Sequence, residues 1–294
     1  YAWPSDGNHG GPRCGVTWDP TGSARTVVRA AYGLYYDPII TATAGITRYI
    51  SGQPDTVRTL ALAAPGAFAA WAAPGRRLPE STAIQLAGGS YPSVAITIDP
   101  GLRNPYAHHM FLGADHLITP RVRLSAGFVY ARGINALGTI DYNPVLPDLG
   151  PGRRPADING QAGTSASVLQ YTSFGETWFR GLTLSLDGSV DNRLFFRVGY
   201  TLSKAEDTST DFQSAFLPQN NGRGRDPLQL SGLPIGFRPD DERGPALHDE
   251  RQRLVATGSY RIPWDVIVSG LVTAASGWPY NILAGTDLNG DRDG

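Results

Sequence analysis

Residues 177–203 read TWFRGLTLSLDGSVDNRLFFRVGYTLS, and the fold turns on how this stretch is read. Leu182, Leu184 and Leu186 alternate with Thr183, Ser185 and Asp187. Further along, Phe196, Val198, Tyr200 and Leu202 alternate with Arg197, Gly199, Thr201 and Ser203. Successive side chains on a strand point to opposite sides, so each run has one apolar face and one polar face. Residues 188–192 supply Gly, Asp and Asn, which tolerate a tight turn. Each strand reaches roughly 10 residues, enough to cross a bilayer at a tilt. The segment that follows, 204–249, is long and polar, with Asp, Gly, Pro, Asn and Arg throughout. A two-faced hairpin with a tight turn at one end and a large loop at the other is the repeat unit of an outer-membrane β-barrel.

The pattern extends outward in both directions. Short strands or full ones are expected over 14–19, 25–36, 106–118, 121–132, 251–262 and 266–276, each with residues alternating in character. Short turns fall at 20–23, 119–120 and 263–265. Long loops fall at 37–105, 133–176 and 204–249, with a short strand, SVAITI, expected at 93–98. In 266–276, Ile267 and Leu271 interrupt the polar face. Residues 45–62 offer a weaker strand signal, and the alanine-rich 63–73 could form a short helix broken by Pro65 and Gly66. Pro144, Pro147, Pro151 and Pro155 exclude regular structure from the middle of the second loop. The order is strand, short turn, strand, long loop, repeated four times. The fold class expected is therefore all-β: an antiparallel transmembrane β-barrel segment of about eight strands, with short periplasmic turns and long extracellular loops. The aromatics Tyr35, Tyr36, Tyr130, Trp178, Tyr200, Tyr260 and Trp264 are expected in interfacial girdles. A soluble sandwich or solenoid also alternates, but strand length and loop size favour the membrane.

Composition agrees. The 294 residues are 41% hydrophobic and 17% charged, with 36 Gly and 23 Pro, which suits turns and loops and not long helices. No apolar run reaches the length of a transmembrane helix, and barrel strands do not require one. A net charge of −1 with interleaved signs argues against a nucleic-acid partner. Cys14 is the only cysteine and forms no internal disulfide. Residues 1–294 are expected to be part of one barrel domain and to be a fragment of something longer, with no signal peptide in view.

Several stretches carry a family resemblance. RTVVRAAYGLYYDP resembles the strand-and-turn signature of Oar-like TonB-dependent outer-membrane receptors. NPYAHHMFLGADHLITPRVRLSAGFVYARG and FRGLTLSLDGSVDNRLFFRVGYTLSKAEDTSTD are similar to hairpins of that family. ERGPALHDERQRLVATGSYRIP resembles its "E-R-G-x-S-x-F-D-x-R-H-R" strand, with Arg251-Gln252-Arg253 where the family has R-H-R. SGWPYNI followed by DLNGDRDG resembles a further element. The matches lie in order and touch most of the chain, although residues 42–105 have no counterpart. The resemblance implies a carboxyl-proximal part of a large plugged barrel of about 22 strands. It also implies a plug, a TonB box and an amino-terminal β-sandwich that are not seen in this stretch, and a TonB complex as partner through that missing part.

Candidate chemistry is sparse. Asp287, Asn289, Asp291 and Asp293 carry side-chain oxygens at alternate positions, as a calcium loop does. Read from Asp287, position six is Arg292 and not glycine, so a polar turn competes with that reading. Asp240, Asp241, Glu242, Arg243, Arg251 and Arg253 could form a charge network in a loop or lumen. His108, His109 and His116 lack metal-site spacing, and no nucleophile elbow or phosphate loop occurs, so no catalytic residue, firm metal site or cofactor is expected. The function expected is uptake of an unidentified extracellular ligand through the outer membrane of a Gram-negative bacterium. The three long loops would supply the binding surface, and outer-membrane lipid would be a partner of the wall. A non-transporting surface or adhesion barrel is the first alternative, and a secreted soluble glycan-binding β-protein the second. An enzyme is the least favoured class.

Overall fold

The computed structural model describes residues 7, 9–37, 94–144, 146–161, 167–208, 233–234 and 243–280. Eight strands form the wall: β1 (Arg13–Trp18), β2 (Thr26–Tyr36), β4 (Tyr106–Thr119), β5 (Val122–Asp141), β6 (Ser167–Val190), β7 (Leu194–Asp207), β10 (Gln252–Arg261) and β11 (Ile267–Ala275). They pair antiparallel in that order. The described sheet is open, with β1 and β11 at its edges. Three short strands lie off this path: β3 (Val94–Ile98), β8 (Leu233–Pro234) and β9 (Gly244–Pro245). Among the described residues, helix is confined to short 3-10 turns such as Pro147–Leu149 and Pro263–Asp265, and none is long and apolar enough to cross a membrane.

Register turns the alternation of single strands into continuous faces. Leu124, Leu186, Val198, Ala256 and Val272 stand side by side across five strands. Gly127, Thr183, Thr201 and Arg253 stand side by side on the opposite face. The apolar face is bare: Leu112 is 56% exposed, Leu202 47% and Val272 61%. In water so large an apolar surface marks a binding or membrane face. In lipid it is the outer wall of a barrel, whose backbone polar groups are satisfied across the ladder.

Two strands outgrow the wall. β5 has 20 residues and β6 has 24, against 14 for β4 and β7. Their ladder breaks between Gly133 and Leu137, where Asn135 adopts φ 62°, then resumes to Asp141 and Leu169. A bulge of this kind bends a strand pair. Beyond it both strands would have a bare edge, and bare edges recruit other strands. β3 fills the side of β6 that β7 occupies lower down, and β8 fills the side of β5 that β4 occupies, both in parallel. The buried apolar residues of the described chain gather on this projection: Ile98, Leu102, Leu137, Leu146, Leu169 and Tyr171.

The structure corrects four expectations. The second long loop, 133–176, is strand at both ends, because its prolines sit only in the middle. Gly188 belongs to β6 and not to a turn: a Cβ there would meet Val122 Cα at 2.9 Å, so the glycine permits close approach of the neighbouring strand. The reversal comes at Asp191, with φ 51°. Tyr35 is on the polar face, beneath Arg13, and so is not part of a lipid girdle. Tyr200 is on the outer face but only six positions from the start of β7, mid-strand and away from either rim. Residues 45–62 and 63–73 lie outside the described residues.

Candidate functional site

The projection is laced together by side chains that the local sequence places at its bends. Asp141 Oδ1 accepts from the backbone N–H groups of Asn143 (2.9 Å) and Val168 (3.1 Å), and Arg154 donates to Oδ2 at 3.4 Å. Asn143 Oδ1 accepts from the N–H of Ala156 at 3.0 Å, and Asp157 from that of Arg154 at 2.7 Å. These bonds hold 142–157 against the strands. On the other side, Asp99 accepts from Gly101 N–H (2.7 Å) and from the Thr172 hydroxyl (3.1 Å). Ser173 accepts from Arg103 N–H and donates to its carbonyl, at 2.9 and 2.8 Å. A segment of the first long loop is thereby strapped to β6. Tyr171, wholly buried, has its phenol pushed upward by burial, and its hydroxyl finds no partner among the described residues.

Below the projection, the polar face carries a trough. Arg13 sits over the Tyr35 ring at 4.4 Å, and Tyr35 meets the His109 ring at 4.9 Å. With Phe111 and Val129 they line about 490 Å³. A second space of about 420 Å³, lined by Pro105, Gly133 and Thr177, adjoins it through Tyr35 and His109. The Phe111 ring covers Gly113, where a Cβ would come within 2.5 Å of it. Lower on the same face, Asp115 pairs with Arg29 and accepts from Ser125 at 2.5 Å, and Arg123 pairs with Asp187 at 3.1 Å. The polar face can thus offer aromatic stacking and fixed charge to something passing along it.

A third cluster closes the far end of β7. Asp249, 2% exposed, accepts from Ala205 N–H at 2.7 Å and pairs with Arg251. Arg253 pairs with Glu250 at 3.1 Å, and Arg243 with Glu206 at 3.1 Å. Burial pushes the Asp207 carboxyl up to about 6, against the opposing pull of His248. Among the described residues, the three arginines of the expected charge network are each paired with a carboxylate: Arg243 with Glu206, Arg251 with Asp249 and Arg253 with Glu250. Asp249, which anchors the cluster, was not singled out from sequence; it stands at the D of the D-x-R pattern that carries the resemblance.

The other expected site residues divide. His108 Nδ1 is 2.8 Å from the Tyr32 hydroxyl and His116 Nδ1 is 2.9 Å from that of Thr26, both on the apolar side. Their face is opposite to that of His109, and no three metal-binding side chains converge among the described residues. Asp287, Asn289, Asp291 and Asp293 lie outside the described residues, as do Asp240, Asp241 and Glu242.

A model of the outer membrane beta barrel domain matches residues 2–294. The chain belongs to that family. It is a piece of outer-membrane wall, and this barrel segment sits in the outer membrane of a Gram-negative cell. The search of curated proteins found no match. Among solved structures, the segment is similar to the outer membrane transporter YddB from Escherichia coli: TM-score 0.53, 12% identity, 93% of this chain and 30% of that one. The siderophore receptor PiuA from Acinetobacter baumannii gives TM-score 0.46 and 11% identity, over 90% of this chain and 25% of that one. The FrpB iron transporter from Neisseria meningitidis gives 0.43 and 13%, over 88% and 25%. At such identity the likeness shows the fold alone. The chain spans about a third or less of the length of these structures.

Proposed function

We propose that this segment is wall from a TonB-dependent receptor, and that an extracellular ligand meets the β5–β6 projection and the trough beneath it on the way in. The observation that carries this reading is the continuity of the projection with the polar face: a folded outer platform stands directly above an aromatic and charged wall. The fold similarity to YddB, itself named a transporter, supports the same reading. The ordered resemblance of the strands to Oar-like receptors adds to it, and would bring the TonB complex in as partner through the rest of the protein. Energy would then arrive from the inner membrane, and the ligand's chemistry is left open.

The test uses the full-length protein from its complete gene. Cells carrying it are fractionated and the outer-membrane extract is run with and without heating. A heat-dependent mobility shift is expected of a closed barrel. Uptake of labelled siderophores, oligosaccharides and peptides is then compared in cells with and without TonB. Uptake of one class that vanishes without TonB supports the proposal. A heat-modifiable barrel that retains surface binding yet accumulates nothing would replace transport with the adhesion reading.

A further inference from the structure

The outward face carries a feature that ligand uptake does not use. Counted from the short-turn ends Val122, Val190 and Leu194, the residues Arg132, Arg180 and Lys204 each stand ten positions along their strands. All three share the face of Leu124, Leu186 and Val198 by alternation. Ten residues at ~3.4 Å each, tilted by ~40°, rise about 26 Å, close to the ~25 Å apolar band of an outer-membrane barrel. The three cations therefore share one level, at the outer edge of the hydrocarbon, where headgroups begin.

Their surroundings are built and unbalanced. Trp178 is next to Arg180 on the same face and opposite Arg132, and the Arg243 guanidinium lies 4.1 Å from its ring centroid. Glu176 pairs with Arg132 at 3.0 Å. Glu206 takes Lys204 at 2.6 Å and Arg243 at 3.1 Å. Four cations thus meet two carboxylates. Arg180 is directly opposite Lys204 in the β6–β7 ladder, and the Arg180 guanidinium makes no hydrogen bond or ion pair among the described residues. Like charges facing each other across a ladder are destabilising unless an anion lies between them. The Nε of Arg132 is buried and has no hydrogen-bond partner among the described residues. Guanidinium groups hold phosphate through paired N–H donors, and tryptophan seats itself at the interface.

We propose that Arg132, Trp178, Arg180, Lys204 and Arg243 form a binding site on the outside of the wall for a phosphate of the glycolipid that makes up the outer leaflet. The site holds the lipid, not the transported ligand. The Arg180–Lys204 pair takes the phosphate, Arg132 and Arg243 flank it, and Trp178 marks the headgroup level. The inference requires the outer-membrane barrel and is independent of transport.

Full-length protein extracted from outer membranes, stripped of lipid and held in detergent tests it. Native mass spectrometry would follow titration with bis-phosphorylated lipid A, the same lipid dephosphorylated, and phosphatidylglycerol. Wild type should bind lipid A, and affinity should fall about tenfold or more in the Arg180→Gln, Lys204→Gln double variant. Arg180→Lys should restore part of the loss, and Arg197→Gln, on the other face of β7, should leave affinity unchanged. Dephosphorylated lipid A should bind wild type about tenfold more weakly. Unchanged affinity in the double variant overturns the proposal, as does phosphatidylglycerol competing mole for mole. Heat-modifiable mobility confirms folding of each variant, and an uptake defect in wild type would bear on transport without touching this result.

Discussion

Two aspartates near the end of β7 act in opposite ways. Asp249 is buried but fully engaged, with a backbone donor at 2.7 Å and a guanidinium. Hydrogen bonds to a charged group contribute about 1.5–3 kcal/mol, so Asp249→Ala should cost the local structure about 2–3 kcal/mol. Hydrogen-exchange protection at Ala205 would show it, and unchanged protection would sink the assignment. Asp207 has its carboxyl pushed up to about 6 by burial. A raised carboxyl favours the folded form when protonated, so this contribution is present at acid pH and is lost as pH rises through about 6. Protection at Ala205 and Thr208, corrected for intrinsic rates, should therefore fall between pH 5 and 7, and Asp207→Asn should flatten that dependence. A wild-type profile already flat across that range would refute it. Neither role was legible in the sequence. The Asp249 bond spans 44 residues, and nothing local announces a partner so distant. The D-x-R pattern marked the place without saying what it does.

The strands themselves were the legible part. Their period of two is set by residues next to one another, so the hairpin at 177–203 could be read without tertiary knowledge, as could β3 from SVAITI. What failed is what depends on the neighbouring strand. Gly188 looked like a turn residue and is a contact with Val122. Tyr35 looked like girdle and is lumenal, since one position of alternation decides the face. The partner of β3 could not be read at all, because a parallel pairing leaves no turn between its strands. Alternation makes a sharp prediction for β6. Leu184 is six positions from the short-turn end, near mid-bilayer, and Leu184→Arg should cost the folded barrel about 2–4 kcal/mol in lipid. Ser185→Arg, one residue on and facing the lumen, should cost about 0.5 kcal/mol or less. Urea titration of the full-length protein in liposomes measures both; equal costs would mean that the faces are misassigned.

At the scale of the molecule, one wall has two solvents. Cys14 is exposed and shares the lipid-side alternation of Val16 and Trp18 on β1. In intact cells it should resist a membrane-impermeant maleimide and react with a lipid-soluble one, as read by mass spectrometry of the peptide containing it. Labelling by the impermeant reagent would put β1 in water. The trough and the charged pairs face the other way, where water or ligand can reach them. Lipid contact is in this way assigned to one side of the strands, and the uptake proposed above would use the other.

The parallel union of β3 with β6 also sets a timetable. Hairpins such as β6–β7 join neighbours in the chain and can zip as soon as both arms exist. The strap closes over a far longer loop, since Asp99 and Thr172 are 73 residues apart. Closing a loop of that length carries its entropy cost before any contact offsets it. The hairpins of the wall should therefore set first and the platform above them last, so a nascent barrel would be sealed against lipid before its platform had formed.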